Sequence, residues 1–225
     1  MFKLSPLMEN LARERVFEEL CKLITLCAAP DLLRFAPILG QAIPELLPTI
    51  GFDQRSPHHA YDLFTHIAHV TGAVPKNLAL RWAALLHDIG KIPCFTTDAT
   101  GRGHFYGHAG VSAEMADAIL RRLKAPNDLR QQAVFLIDKH MTPLEPDRKL
   151  LRRRIARYGW ENVELLLALQ LADLHSKGTQ EAEEDTWYQE VVRLLAEIRQ
   201  EDACLCLKDL AVNGHDLMDL GLRGR

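Results

Sequence analysis

Apolar residues recur with the spacing of an α-helix in almost every segment of this 225-residue sequence, and no alternation typical of a strand extends over a convincing length. Positions three and four residues apart share one face of a helix, so the pattern predicts amphipathic helices. We predict helices over about 10–28, 62–72, 77–89, 109–124, 127–140, 148–157, 160–176 and 182–199, with shorter helical pieces over 31–48 and 203–225 and a loop over 93–107. The chain is therefore predicted to be all-α.

Composition places few other limits on the chain. Hydrophobic residues make up 48% of it, enough for a sizeable core, and the formal net charge of −3 argues against general nucleic-acid binding. The five cysteines are odd in number and form no C-x-x-C pair, which predicts reduced thiols in a cytoplasmic protein and neither disulfides nor a zinc knuckle. No signal peptide is predicted, because Glu9, Arg13, Glu14 and Arg15 interrupt the N-terminus early. No membrane span is predicted, because no apolar run approaches about 20 residues.

Ten histidines are the unusual feature, and most of them fall between His58 and His140. An apolar helix reading LLHDIGK carries His87 and Asp88 at its end, just before Gly90. Adjacent residues of a helix point about 100° apart, so both side chains can serve one metal only where the chain loosens. Gly90 predicts such a loosening at the helix end.

Further histidines and an aspartate recur on the neighbouring helices, flanked by apolar residues. The ordered candidate set is His66, His87, Asp88, His108, His140 and Asp173. Intervals of about 20 to 35 residues let each helix of a bundle donate one ligand to a common centre. Such ligands accept manganese, iron, cobalt, nickel, zinc or magnesium, and the sequence does not choose among them. Taken singly, each histidine is also consistent with a hydrogen-bonded core residue.

The ordered set, and LLHDIGK above all, resembles the HD phosphohydrolase superfamily. More narrowly, the chain is similar to the C-terminal half of bacterial CCA-adding tRNA nucleotidyltransferases that carry an HD domain. ARERVFEEL resembles their helical neck, and YDLFTH, GHFYGHAGVSAE and KDLAVNGHDLMDLG resemble segments of their HD and tail regions. The resemblance implies an HD-type helical bundle over 51–180, with a neck-like helical segment over 1–50 and a C-terminal helical segment over 181–225 packed on the bundle.

The superfamily pattern also implies roles for particular residues. It places one divalent metal among His66, His87, Asp88 and Asp173, and a second one between Asp88, His108 and His140. Asp88 and Lys91 are implied as catalytic residues, and Lys91, Arg102 and His104 as groups that meet the substrate phosphate. For Arg102 and His104, solvent-facing loop positions are an equally good interpretation.

Two functions follow from the resemblance. The first is a metal-dependent phosphohydrolase, either a phosphatase or a 2′,3′-cyclic phosphodiesterase, acting on nucleotides or RNA ends. The second is an RNA-binding portion of a tRNA nucleotidyltransferase whose metal site is structural or vestigial. The sequence contains no Gly-Gly dipeptide and no D-x-D carboxylate pair on a strand–helix unit, so we expect no nucleotide addition by this chain. A stand-alone relative and a piece of a longer enzyme are both consistent with the sequence.

A basic run is the remaining feature. Its six cations are Arg148, Lys149, Arg152, Arg153, Arg154 and Arg157. A helix with this run could contact the phosphates of tRNA. The alternative is a solvated helix face that is partly paired with neighbouring acidic residues.

Overall fold

Helices dominate the computed structural model, which describes residues 12–56, 60–178 and 184–201 together with position 218. In chain order the helices are α1 (Arg13–Leu26), α2 (Ala29–Arg34), α3 (Ala36–Ala42), a 3-10 helix (Pro44–Thr49), α4 (Leu63–Ala73), α5 (Leu78–Leu86), α6 (Lys91–Cys94), α7 (His108–Arg122), α8 (Asn127–Lys139), α9 (Arg148–Tyr158), α10 (Trp160–His175) and α11 (Glu184–Gln200). The strands are β1 (Thr96–Thr97) and β2 (Gly103–His104). The all-α prediction is confirmed.

The predicted loop over 93–107 contains the short hairpin. Its strands are antiparallel, with Thr96 opposite His104 and Thr97 opposite Gly103. Strands of two residues are too short to show an alternating pattern in a sequence, which explains why they were not predicted. The predicted helical pieces over 203–225 lie outside the described residues, apart from position 218.

Side-chain caps start the two helices that lead to the histidine cluster. Asp62 Oδ1 accepts hydrogen bonds from the backbone N–H groups of Phe64 and Thr65 at the start of α4, at 3.1 and 3.2 Å. Asn77 Oδ1 accepts one from Leu80 N at the start of α5, at 3.0 Å. Each cap satisfies backbone donors that have no partner within the helix. Both helix starts agree with the prediction.

The end of α5 differs from the prediction. The helix ends at Leu86 and not at Ile89, and the chain passes through a tight turn before α6 begins at Lys91. Within this turn, the backbone N–H of Lys91 donates to the carbonyl of Asp88 at 3.0 Å, a bond between residues three apart. Apolar periodicity continues across the turn because every residue in it is buried, so the pattern alone does not reveal where the helix stops.

The described residues form two compact units, one of residues 12–142 and 164–178 and one of residues 143–163 and 184–201. In the first unit, α5 is the central helix and is buried from Ala79 to its end. Trp82 on α5 is fully buried and stacks on Phe17 of α1, with ring centroids 5.5 Å apart. The domain bounds predicted at residues 50 and 180 stay a prediction.

A buried arginine joins three helices of the first unit. Arg81 on α5 is only 4% exposed. Its guanidinium donates to the carbonyls of Thr71 at 2.6 Å, Ile24 at 3.3 Å, Cys27 at 3.4 Å and Pro75 at 3.3 Å. These carbonyls lie at or just beyond the C-terminal ends of α1 and α4, where backbone acceptors lack partners within the helix. Arg81 therefore stabilises the packing of α1 and α4 against α5.

In the second unit, ion pairs join α9 to the end of α11. Arg148 Nη2 lies 2.6 Å from Glu197 Oε2, and both Arg148 and Arg152 also pair with Glu201. Trp187 of α11 donates from its indole N–H to the carbonyl of Leu144 at 3.0 Å. Across the ranges that the structure describes, no helix has the length and apolar character needed to cross a membrane.

Candidate metal centre

The turn after α5 brings His87 and Asp88 against the start of α7. The backbone N–H of Gly90 donates to Ser112 Oγ at 2.9 Å. A Cβ atom at position 90 would lie 2.6 Å from both the carbonyl oxygen of His108 and the amide nitrogen of Ser112. Only a glycine permits this close approach without displacement. The approach holds the carboxylate of Asp88 close to His108.

The six residues predicted as ligands gather into two groups that share Asp88. The first group contains His66 on α4, His87 and Asp88 in the turn and Asp173 on α10, and the second contains Asp88, His108 at the start of α7 and His140 at the end of α8. Within each group the candidate ligand atoms all lie within 4.8 Å of one another. Asp173 is partly exposed, and the other five side chains are buried.

The two carboxylate oxygens of Asp88 face different groups. Oδ2 lies 3.4 Å from His66 Nε2 and 3.2 Å from His87 Nε2. Oδ1 lies 3.3 Å from His108 Nε2 and 3.8 Å from His140 Nε2. A carboxylate in this position can bridge two cations, with one oxygen directed at each.

Asp173 completes the first group from the opposite side. Its Oδ1 lies 3.0 Å from His66 Nε2 and 3.8 Å from His87 Nε2. The Nε2 atoms of His66 and His87 therefore both face carboxylate oxygens of two aspartates. Two imidazoles and two carboxylates form a ligand set that suits borderline divalent metals.

Backbone carbonyls set the tautomer of all four histidines. His66 Nδ1 lies 3.1 Å from the carbonyl oxygen of Ser176, and His87 Nδ1 lies 2.8 Å from that of Ala84. His108 Nδ1 lies 2.8 Å from the carbonyl oxygen of Phe105, and His140 Nδ1 lies 2.7 Å from that of Ile137. A carbonyl only accepts hydrogen bonds, so each Nδ1 carries the proton and donates it. This leaves Nε2 as the atom that faces the aspartates, which is the usual arrangement of a metal-ligating histidine.

The histidine Nε2 atoms and the aspartate oxygens that face them need a positive charge between them. An Nε2 lone pair directed at a carboxylate oxygen is repelled unless a proton or a metal cation lies between them. Burial lowers the pKa of His87, but the carboxylates of Asp88 and Asp173 outweigh burial and raise its pKa to about 10. The pKa of His66 is also raised, since the two aspartates outweigh burial there too. Without metal, a proton on His87 therefore takes the place of the cation.

The second group behaves differently. Burial and the charge of His87 lower the pKa of His140 to about 4, so this imidazole is neutral near pH 7. The Nε2 atoms of His108 and His140 lie 3.2 Å apart, and with Nδ1 protonated in the neutral form neither can donate to the other. A cation that accepts both lone pairs removes this conflict. The donor chemistry of both groups thus fits divalent metal ions.

Lys91 is the buried cation next to Asp88. Its Nζ lies 2.8 Å from Asp88 Oδ2, donates to Gln54 Oε1 at 2.9 Å and lies 5.3 Å from the centroid of the Phe105 ring. Gln54 is 1% exposed, and its Nε2 donates to the carbonyl of Tyr61 at 3.4 Å. Gln54 was not predicted, because a single glutamine in a loop carries no motif.

A cavity of about 460 Å³ opens onto the two groups. Its lining consists of Asp88, Lys91, Gly103, His104, Phe105, Tyr106, Gly107, His108, Ala109, His140, Met141, Asp173 and Lys177. Two of the three predicted phosphate contacts, Lys91 and His104, line it. Arg102 is exposed and is not among the described residues of the lining, and its backbone N–H donates to Asp98 Oδ1 at 3.1 Å. Tyr106, Met141 and Lys177 are lining residues that sequence reasoning did not single out.

The chain is similar to a protein family and to several curated proteins. Residues 59–178 match the family model described as HD domain. The chain is 38% identical to the A-adding tRNA nucleotidyltransferase of Deinococcus radiodurans, over 72% of this chain and 39% of that protein. It is 35% identical to the CC-adding tRNA nucleotidyltransferase of Thermus thermophilus, over 81% of this chain and 44% of that protein, and 34% identical to the Multifunctional CCA protein of Aromatoleum aromaticum, over 76% and 44%.

The matched part of each relative is less than half of its length, so the chain spans only a portion of these curated proteins. The HD match covers more than half of the chain and includes all six residues of the two His/Asp groups. The chain belongs to the HD domain family and is homologous to the HD portion of bacterial CCA-adding tRNA nucleotidyltransferases.

Proposed function

We propose that this protein is a metal-dependent phosphohydrolase that cleaves phosphomonoesters or 2′,3′-cyclic phosphodiesters of nucleotides or RNA ends. The observation that carries the proposal is the division of Asp88 between two ligand groups, with Oδ2 toward His66 and His87 and Oδ1 toward His108 and His140. A pair of metal sites bridged by one carboxylate is the arrangement used for hydrolysis of phosphoesters. Two relatives are named as A-adding and CC-adding tRNA nucleotidyltransferases, and these names support nucleotide chemistry.

Each of the two ligand groups would hold one divalent ion. His66, His87, Asp88 and Asp173 would hold one divalent ion, and Asp88, His108 and His140 would hold the second. Bound ions would supply an activated water and stabilise negative charge on the phosphoryl oxygens. Four imidazoles favour manganese, iron, cobalt, nickel or zinc over magnesium, which prefers oxygen ligands.

The protein itself contributes charge and orientation. The four carbonyls that accept from Nδ1 hold the imidazole rings so that every Nε2 faces the centre. Burial alone would raise the pKa of the Asp88 carboxyl. The neighbouring cations His87 and Lys91 outweigh burial and hold this pKa well below its usual range. Because Lys91 also lines the cavity, its ammonium can contact a phosphoryl oxygen of the substrate.

A second candidate function, contact with tRNA, is favoured by the exposed part of the basic run. Lys149, Arg153 and Arg157 are exposed and recur every four residues, which places them on one face of α9. Arg148 instead pairs with Glu197 of α11, and Arg152 pairs with Glu201 just after that helix. We propose that the exposed face, and not the whole run, contacts RNA phosphates.

The test of the proposed hydrolase is metal analysis combined with a substrate screen. Protein purified without chelator is analysed for bound metals and then assayed on nucleoside monophosphates and 2′,3′-cyclic AMP with each divalent metal added back. We expect bound metal and turnover in the native protein, and loss of both in Asp88→Ala. His69→Ala is the matched control, since His69 lies on α4 with His66 but stacks on Tyr61, away from the centre.

The outcomes separate the two functions. Full metal content and full turnover in Asp88→Ala would contradict the assignment of the centre. Bound metal without turnover on any phosphoester would favour the RNA-binding alternative with a structural metal site.

A further inference from the structure

Two large apolar side chains stay exposed where the cavity opens. Tyr106 is 80% exposed and Met141 is 61% exposed, and both line the same cavity as Asp88. The other large apolar side chains that are exposed in the described parts of the chain do not line it. The exposed ring of Tyr106 offers apolar aromatic surface at the cavity, and burial of such surface against a ligand is favourable.

Tyr106 is held in a fixed orientation by its neighbours. Its ring stacks on His104, with centroids 5.5 Å apart and planes inclined by only 5°. His104 Nε2 lies 3.0 Å from Asp98 Oδ2, and its Nδ1 lies 3.4 Å from the Tyr106 hydroxyl. Because Asp98 accepts from Nε2–H, Nδ1 is left to accept from that hydroxyl.

Asp98 is itself anchored by the hairpin turn. Its Oδ1 accepts from the backbone N–H groups of Thr100 at 2.9 Å and Arg102 at 3.1 Å, and from the Thr100 hydroxyl at 2.6 Å. The stack therefore rests on a rigid turn, and little side-chain entropy remains to be lost when a ligand binds. With one face on His104 and most of its surface exposed, the ring of Tyr106 presents its opposite face to a ligand.

The stack lies close to the metal centre along the chain. One residue, Gly107, separates Tyr106 from His108, so their Cα atoms lie at most about 7 Å apart. Among the residues that line the cavity, Asp88 and Lys91 are buried, whereas Tyr106 is exposed. A ligand with a phosphoryl group at one end and a planar ring at the other matches this arrangement, with the phosphoryl group near Lys91 and the ring on Tyr106.

We propose that Tyr106, supported by His104, is a stacking platform for the base of the substrate nucleotide and determines its specificity. The inference rests on the proposed phosphohydrolase activity and adds a binding subsite to it. Every base has a π-face, so the platform favours phosphoesters that carry an aromatic ring and discriminates little among the bases. Stacking of one base contributes roughly 5- to 140-fold in affinity.

The test compares two ligands that differ only in the base. AMP and ribose 5-phosphate share the sugar and the phosphomonoester. Binding of each is measured by calorimetry and turnover by phosphate release, for the native chain, Tyr106→Ala, Tyr106→Phe and the control Tyr61→Ala, all loaded with the same metal. Tyr61 is a second exposed tyrosine that does not line the cavity.

We expect the native chain to bind AMP at least about fivefold more tightly than ribose 5-phosphate. Tyr106→Ala should lose this preference with no change for ribose 5-phosphate, and both Tyr106→Phe and Tyr61→Ala should keep it. Metal content measured for every variant excludes an indirect effect through His108.

The possible failures are distinguishable. Hydrolysis of both ligands without any preference for AMP would overturn the platform and leave the hydrolase intact. Tyr106-dependent binding of AMP without hydrolysis of either ligand would support the platform and contradict the hydrolase. Equal losses on both ligands in Tyr106→Ala, or binding of neither ligand by the native chain, would also overturn the platform.

Discussion

The Nε2 atoms of His108 and His140 lie 3.2 Å apart, and the Nδ1 atom of each ring donates to a backbone carbonyl. A divalent cation held between the two Nε2 atoms would accept a lone pair from each ring. We therefore expect His108→Ala and His140→Ala to lose the metal of the second group first while the first group keeps its own. Elemental analysis should give a lower metal content per chain in both variants, with depressed turnover.

The control for this prediction is His69→Ala, which removes a histidine that belongs to neither group. Two metals per chain in both His108→Ala and His140→Ala would show that these histidines are core residues and that the protein uses a single metal.

Metal binding should release protons and should strengthen as pH rises. In the metal-free protein the carboxylates of Asp88 and Asp173 outweigh burial and raise the pKa of His87 to about 10, so this group is protonated at pH 7.5. A metal must displace that proton, and protons compete more strongly as the pH falls. Affinity for Mn²⁺ should therefore increase between pH 6 and pH 9. Calorimetry in buffers of different ionisation enthalpy measures the released protons directly, and an affinity that is independent of pH would contradict the prediction.

Gly90→Ala should displace α7 and weaken the second group. The added Cβ would lie 2.6 Å from the carbonyl of His108 and from the amide nitrogen of Ser112, and both atoms are backbone. Overpacking of this kind costs about 1–3 kcal/mol of stability. We expect a lower unfolding midpoint and loss of metal from the second group before the first.

Gly110→Ala is the matched control, since a Cβ at position 110 meets no atom within 4 Å and alanine is the better helix former in α7. If the Gly90→Ala variant were as stable and as metal-rich as Gly110→Ala, the close approach of the turn to α7 would be unimportant for the centre.

Arg81→Met should destabilise the fold without touching the centre. The substitution keeps much of the apolar volume but leaves the carbonyls of Ile24, Cys27, Thr71 and Pro75 without their shared donor. Buried acceptors left without partners cost about 1–3 kcal/mol each before relaxation, and we expect a total loss of about 3 kcal/mol. Denaturant unfolding measures the change. Arg121→Met, on the exposed part of α7, should change stability by less than about 0.5 kcal/mol, and equal effects of the two substitutions would contradict the role of Arg81.

The basic run should show two classes of basic residue in RNA binding. Alanine at Lys149, Arg153 and Arg157 together should weaken tRNA binding and reduce its dependence on salt, because each phosphate contact releases counterions. Alanine at Arg148 and Arg152 removes charges that pair with Glu197 and Glu201, so we expect a smaller effect on the salt slope. Filter binding at several salt concentrations compares the two variants, and identical salt slopes for both would favour the solvated-face interpretation.

Much of the fold was readable from local patterns in the sequence. The helical periodicity acts within a few residues of the chain, and it predicted the all-α class and the starts of α4 and α5 correctly. The order of His66, His87, Asp88, His108, His140 and Asp173 along successive helices indicated a shared centre, and the family resemblance based on it is confirmed. That these residues bind metal stays a prediction.

Features that depend on distant parts of the chain were decided by the tertiary structure alone. Gly90 meets Ser112 across 22 residues of sequence, and this contact stabilises a turn where periodicity predicted continuous helix. Gln54 reaches Lys91 from an irregular loop. The six basic residues of the run carry the same charge and cannot be told apart in the sequence. In the structure, Arg148 and Arg152 differ from the exposed ones because they pair with Glu197 and Glu201. Hydrophobic spacing specifies which face of a helix is buried, but the partner of each polar group depends on which backbone and side-chain atoms the folded chain brings within hydrogen-bonding distance.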